Sequence, residues 1–312
     1  MAGILIYSEK SKSVYELLTA AKLISKETGL KIKAVSINNE EQASELAGKG
    51  AEVYKINNDE IKIIDTAGLA SVLQQAAAKL DTNIILLASN RRGKELSGRL
   101  AQKLAGGCLN DVLSLQVNEK KIECMKNALG GATVATQSIE TANKIIALAP
   151  KALEAAGEEA GGSINDLEIE VKPTELRLIE SRSKAGDAVD IEAAEVLVAV
   201  GLGADQEDLK TAEKMAKALG GELACSKPMA TDRKWLPEDR LIGLSGKKCK
   251  PNLAILLGIS GQVQFMVGIR EAGTIVAVNT DENANIMQMA DYKMVAKIKD
   301  FLPEFIERIK ID

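Results

Sequence analysis

Along the first third of the chain, hydrophobic and polar positions follow two periods that take turns. Residues 3–8 (GILIYS) form a compact apolar run of strand length. Residues 13–29 (SVYELLTAAKLISKETG) then place apolar side chains at helical spacing and stop on a glycine. The pair repeats, predicting strands over 30–37, 51–56 and 83–89 and helices over 40–50, 66–80 and 94–106. Apolar strand runs between amphipathic helices imply a parallel sheet covered on both faces, because a strand buried on both sides needs no polar alternation.

The rhythm changes after Asn110. Residues 112–118, 120–126, 132–139, 144–150, 166–173 and 175–184 are short, strand-like and rich in β-branched residues. The glycine pairs 106–107 and 130–131 suit tight turns, so this region is expected to be an antiparallel β extension of the first domain. Residues 181–195 are small, polar and charged and read as a linker, which places the domains at 1–190 and 191–312. From 196 the alternation resumes. Strands are expected over 196–203, 222–227, 240–247, 253–260 and 274–279, and helices over 207–221 and 262–273. A closing helix is expected over 292–310, with Pro303 as a candidate bend. The fold class is therefore α/β, with two doubly wound parallel-sheet domains, the first carrying the β extension and the second Rossmann-like.

Composition narrows the chemistry. A chain of 312 residues is long for one core, in keeping with two domains. Aromatics make up only 3%, so the cores are aliphatic. The net charge of −4 gives no electrostatic case for nucleic acid or an anionic membrane. No apolar run approaches the ~20 residues of a membrane span, and the N-terminus reads as a first strand, so no membrane insertion and a cytoplasmic location are expected. The four cysteines show no CxxC spacing and read as free thiols rather than metal ligands. Histidine is absent, which removes Ser-His-Asp and Cys-His mechanisms, His-metal sites and the usual general base near neutral pH. No catalytic residue and no metal ligand is nominated; chemistry, if present, is expected to come through a cofactor.

Open parallel sheets bind ligands beyond the carboxyl ends of their strands. In the second domain those ends are Gly201-Leu202-Gly203, Ser226-Lys227, Gly243-Leu244-Ser245-Gly246, Gly258-Ile259-Ser260-Gly261 and Asn279. Glycine lets a main chain approach a neighbour closely, and Ser260-Gly261 opens an expected helix whose free N–H groups suit phosphate. One such turn alone also caps strands that bind nothing. Five strand ends sharing this chemistry point to a dinucleotide. The GxGxxG fingerprint is missing, which disfavours an ordinary NAD site.

Residues 242–247 (IGLSGK), 251–264 (PNLAILLGISGQVQ), the spacing from Gly268 to 275–279 (IVAVN) and 288–298 (QMADYKMVAKI) carry a resemblance. Residues 91–104 (RRGKELSGRLAQKL), followed by 109–113 (LNDVL), extend it to the first domain. Over nearly the whole chain the pattern resembles the alpha subunit of electron transfer flavoproteins. The resemblance implies one FAD in the second domain and a heterodimer with an electron transfer flavoprotein beta subunit. It implies an electron carrier without substrate turnover of its own. Electrons would pass from flavin dehydrogenases, such as the acyl-CoA dehydrogenases of fatty acid oxidation, to a quinone-linked oxidoreductase. Some members of the family bifurcate electrons, and their beta subunit holds a second nucleotide.

Position by position, the resemblance puts the Ser245 hydroxyl near the reactive flavin nitrogen and the Lys227 cation over the ring. Ser260, Gly261, Gln262, Val263 and Gln264 would line the ribityl chain and pyrophosphate, Asn279 would bond the dinucleotide, and Lys297 and Ile298 would lie at the adenine end. Ser226, Ile242, Gly243, Leu244, Gly246 and Phe265 complete the implied cofactor-binding set. Lys227 also reads as a solvated surface lysine, and Ser245 as a residue that closes a turn. The chain departs from the family pattern at Leu202 and Lys227, where the family has arginine, at Leu244, where it has glutamine, and at Phe265, where it has histidine. Phe265 cannot donate a hydrogen bond to the flavin carbonyl edge, so a lower one-electron potential is expected. These departures keep a second reading open: a non-redox subunit that binds only an adenine nucleotide or serves as a scaffold. Arg91, Arg92, Lys94 and Arg99 form a basic cluster that reads as a solvated helix start or as a docking surface.

Overall fold

The computed structural model describes residues 3–131, 133–174, 176, 179–180 and 189–308. The chain divides into two compact units, Met1–Glu180 and Ser181–Asp312. In the first, β1 (Ile4–Tyr7), α1 (Ser11–Thr28), β2 (Ile32–Ile37), α2 (Glu40–Gly48), β3 (Glu52–Ile56), α3 (Thr66–Lys79), β4 (Ile84–Ala88) and α4 (Arg91–Lys103) alternate as the apolar pattern predicts. Five further strands follow: β5 (Gly107–Asn118), β6 (Lys121–Ala128), β7 (Thr133–Ser138), β8 (Lys144–Leu148) and β9 (Ser163–Asp166). They complete one nine-stranded sheet in the order β7-β6-β5-β8-β4-β1-β2-β3-β9.

The two-residue period of β1 decides which core each side chain enters. Ile4 and Ile6 join the cluster built with α1 and α2, while Leu5 and Tyr7 join the one built with α3 and α4. Side-chain caps start three of these helices. Asn39, Asp65 and Asn90 accept from the N–H groups of Gln42, Gly68 and Gly93 at 2.9, 2.9 and 2.8 Å.

The antiparallel extension is narrower than the sequence pattern suggested. Among the described residues only β5–β6 and β6–β7 pair antiparallel; β8 lies parallel to both β4 and β5, and β9 lies parallel to β3. Residues 167–174 form no strand. Leu167, Ile169 and Val171 instead press on the α3–α4 core, and Lys79 and Gln75 take the carbonyls of Glu168 and Glu170. Most of the strand expected over 175–184, and linker residues 181–188, lie outside the described residues.

In the second unit β10 (Val196–Val200), α5 (Gln206–Ala218), β11 (Glu222–Cys225), α6 (Lys227–Thr231), β12 (Leu253–Leu257), α7 (Val263–Met266), β13 (Thr274–Asn279), α8 (Asn285–Met289), β14 (Tyr292–Val295) and α9 (Ile298–Arg308) form a five-stranded parallel sheet with helices. The order is β11-β10-β12-β13-β14. Three expectations are corrected. Residues 240–247 are not a strand: only single bridges join Leu241 to Cys225 and Ile242 to Lys247, because Gly243 at φ 138° turns the chain out of strand geometry. The helix expected over 262–273 is the single α-turn α7. Beyond it Gly268 and Ile269 bond back only three residues, tightening the chain so that Gly268 stacks on the main chain of Gly243. The closing helix begins at Ile298, because Tyr292–Val295 pair with the open edge of β13 and satisfy their peptide groups there.

Candidate functional site

β10 is the first strand of the second sheet. The chain leaves it for β11 on one side and later enters β12 on the other, so the topological switch lies between the carboxyl ends of β10 and β12. A cleft of about 490 Å³ opens there. Leu202 lines it after β10, and Ser226, Lys227, Pro228, Thr231 and Asp232 after β11. Ile242–Ser245 form another wall, and Gly258–Ser260, Gln262, Gln264 and Phe265 line it after β12.

The glycines of these turns have an immediate steric reason. A Cβ on Gly201 would stand 2.4 Å from the Gly258 carbonyl oxygen, and one on Gly261, at φ 80°, would stand 2.2 Å from the Ile286 nitrogen. Main chain packs on main chain, so the turns hold their shape through protein contacts rather than only through a ligand. The 242–246 loop is pinned by Ile242 N–H donating to Cys225 (2.9 Å), Leu244 N–H donating to Gln264 (2.7 Å) and Gly246 N–H donating to Gly243 (3.1 Å). This leaves Leu244 and Ser245 exposed at the mouth. Ser226 sits just before α6 and exposed Lys227 is its first residue. Phe265 is buried, its ring shared between the cleft and the core beneath. Cys225, the residue before Ser226, has its thiol pushed up to about 12 by burial and is inert at neutral pH.

Thus the fold brings Ser226, Lys227, Ile242, Gly243, Leu244, Ser245, Ser260, Gln262, Gln264 and Phe265 around one space. It places six expected residues elsewhere. Gly246 and Gly261 shape turns, and Val263 and Lys297 face solvent. Asn279 spends its side chain on the protein, donating to the Ile259 carbonyl (2.9 Å) and accepting from Asp281 N–H (3.0 Å). Ile298 is buried in the core, its Cδ1 seated against Gly258. Pro228, Thr231 and Asp232 were not legible as lining residues, because α6 spans only five residues and leaves no period to read.

A dinucleotide suits this donor set. The volume falls within the ~300–1,000 Å³ of cofactor sites. Leu202, Ile242, Ile259 and Phe265 offer apolar walls for a flat ring, while Ser226, Ser245, Ser260, Gln262, Gln264 and the Lys227 ammonium offer orienting groups. Fold and cleft together define a two-unit, doubly wound α/β protein with a cofactor-sized crevice at the switch point of its second sheet.

Sequence comparisons agree. Residues 190–270 match the electron transfer flavoprotein FAD-binding domain, and residues 6–174 match the electron transfer flavoprotein domain. Protein FixB of Shigella flexneri is 31% identical over 304 residues, covering 96% of this chain and 95% of that one. Protein FixB of Escherichia coli strain K12 is 30% identical over 304 residues, with the same coverage. The chain belongs to the electron transfer flavoprotein alpha family, and its cofactor is FAD. Among the described residues, no helix is long and apolar enough to cross a membrane.

Proposed function

We propose that this chain is the FAD-carrying subunit of a heterodimer with an electron transfer flavoprotein beta subunit. It takes electrons from flavin dehydrogenases, acyl-CoA dehydrogenases among them, and delivers them toward a quinone-linked oxidoreductase. The observation that carries this reading is the position of the cleft, at the switch point of the unit whose sequence matches an FAD-binding domain.

When bound, FAD supplies the redox chemistry. The chain's own residues bind and orient it. Among the described residues Lys227 is the one cation in the lining, and it favours a cofactor that gains negative charge on reduction. Ser245 presents its hydroxyl from the pinned 242–246 loop. Ile242, Ile259 and Phe265 form a dry floor, which strengthens every charge interaction above it. Around the mouth, Leu202 and Leu244 stand 53% and 65% exposed, an apolar rim that supports a covering subunit.

Co-expression with the beta subunit tests the proposal. A yellow preparation that bleaches with dithionite is expected. A colourless preparation that binds ATP would overturn it and favour the non-redox, adenine-nucleotide reading. Flavin stoichiometry decides the finer point: two flavins per pair indicate electron bifurcation, and one flavin with AMP indicates simple carriage.

A further inference from the structure

The first unit has a switch point of its own, between the carboxyl ends of β1 and β4, where the sheet order turns from β1-β2-β3 on one side to β4 on the other. Ligands of open sheets bind at such places, and the proposed FAD cleft makes no use of this one. Two long helices begin there, α1 just after β1 and α4 just after β4. Neither has an acidic residue in its first turn. Lys10 and Lys12 stand at the start of one, and Arg91, Arg92 and Lys94 at the start of the other. A helix N-terminus is the positive end of the peptide dipoles, so cations gathered there call for an anion.

Glu9 supplies one. It immediately precedes Lys10, the N-cap of α1, yet its Oε1 accepts from Nδ2 of Asn90, the N-cap of α4, at 3.3 Å and from the Arg92 guanidinium at 3.1 Å. The carboxylate of one helix start thus lies on the start of the other, with its side chain 18% exposed. Lys94 is committed to Asp111 at 2.8 Å, and the Ser89 hydroxyl also donates to Asp111. Arg91 is exposed and has no partner among the described residues.

A second observation is independent of the helices. Tyr7, the last residue of β1, is 2% exposed, and its buried hydroxyl has no hydrogen-bond partner among the described residues. Folded proteins seldom leave such a group unsatisfied. Tyr7 pairs with Leu87 of β4, so it stands where β1 and β4 end together, two residues before Glu9, while its strand partner stands three residues before Asn90; burial, followed by the Glu9 charge, raises its pKa.

We propose that this is an anion site for the phosphate group of a small molecule, held closed in the resting chain by Glu9. Phosphate enters by displacing Glu9 from Asn90 and Arg92. Those two groups, the free Arg91 and the unsatisfied Tyr7 hydroxyl then receive it.

Hydrogen exchange on the FAD-loaded heterodimer, with inorganic pyrophosphate as the probe, tests this directly; loading the second-unit cleft keeps the result separate from the FAD assignment. At saturating pyrophosphate the wild-type chain should gain protection in residues 7–12 and 89–95. Glu9→Gln should gain it at concentrations lower by about tenfold or more, the effect of one favourable charge contact. Adding Arg92→Gln should abolish that gain. Absence of protection in saturated wild type overturns the site without reliance on any variant. Equal affinity in wild type and Glu9→Gln, or a gain that survives Arg92→Gln, overturns the role of Glu9.

Discussion

The Asn279 side-chain amide, at the end of β13, donates a 2.9 Å hydrogen bond to the main-chain carbonyl of Ile259, in the turn that follows β12. Two adjacent strand ends are thereby tied, and the second of the ties made by this side chain holds Asp281. Ile259 is buried, so its carbonyl is left without a donor, and with little water to replace it, if the amide goes. Asn279→Ala is expected to lower stability by about 1–3 kcal/mol and to weaken FAD binding through the loosened turn. Asn279→Asp keeps the acceptor for Asp281 but not the donor, and should fall between the two. Urea unfolding with a parallel flavin titration checks this; an Ala variant as stable as wild type would sink it.

Glycine positions separate strain from collision. Gly29 ends α1 at φ 72° with nothing within 4 Å of an added Cβ, whereas Gly261 combines φ 80° with a Cβ 2.2 Å from the Ile286 nitrogen. Gly29→Ala should therefore cost only the left-handed backbone penalty, about 1–2 kcal/mol. Gly261→Ala should cost distinctly more and release bound flavin, since the turn must move away from α8. Thermal melts of the two variants check the ranking, and equal losses would contradict it.

Phe265 lines the cleft with no group able to donate a hydrogen bond, at a position where the resemblance drawn from the sequence implies histidine. Its ring is 7% exposed. A donor aimed at a charged acceptor is worth about 1.5–3 kcal/mol, on the order of 65–130 mV for a one-electron step. Phe265→His is expected to raise the flavin potential by that order, while Phe265→Leu leaves it near wild type at some cost in packing. Redox titration of both separates the hydrogen bond from the loss of the ring. No change in the His variant would refute the assignment.

Thiol ionisation should appear in the alkaline limb of stability. Burial pushes Cys124 up to about 11 and Cys225 up to about 12 in the folded chain, from an ordinary thiol value of 9.0. Above pH 9 the unfolded chain loses these protons and the folded chain keeps them, so stability falls as pH rises from 9 toward 11. The slope approaches about 1 kcal/mol per pH unit for each thiol. Unfolding at pH 8 and pH 10, compared with Cys124→Ala/Cys225→Ala, measures it; the double variant should show the shallower decline. In the native state, alkylation should reach the half-buried Cys108 first.

The alternation of apolar runs and amphipathic helices determined the parallel strands of both sheets, because a strand buried on both faces and a helix buried on one leave different periods in any sequence. The strand-end glycines and serines of β10–β12 likewise announced the cleft, since small and hydrogen-bonding residues gather where turns pack tightly. Tertiary structure alone decided three kinds of feature. Residues 292–295 became a strand because β13 offered an open edge, which outweighed a helical pattern in those few residues. The turns around Gly268 and Gly243 shortened a helix because two main chains had to touch. Asn279 and Ile298 went to the scaffold and Asp232 to the lining, because which way a side chain faces at a strand end depends on neighbours distant in sequence. Glu9 shows the same division: its charge is plain in the sequence, and its place at the start of α4, 81 positions further on, exists only once the sheet has formed.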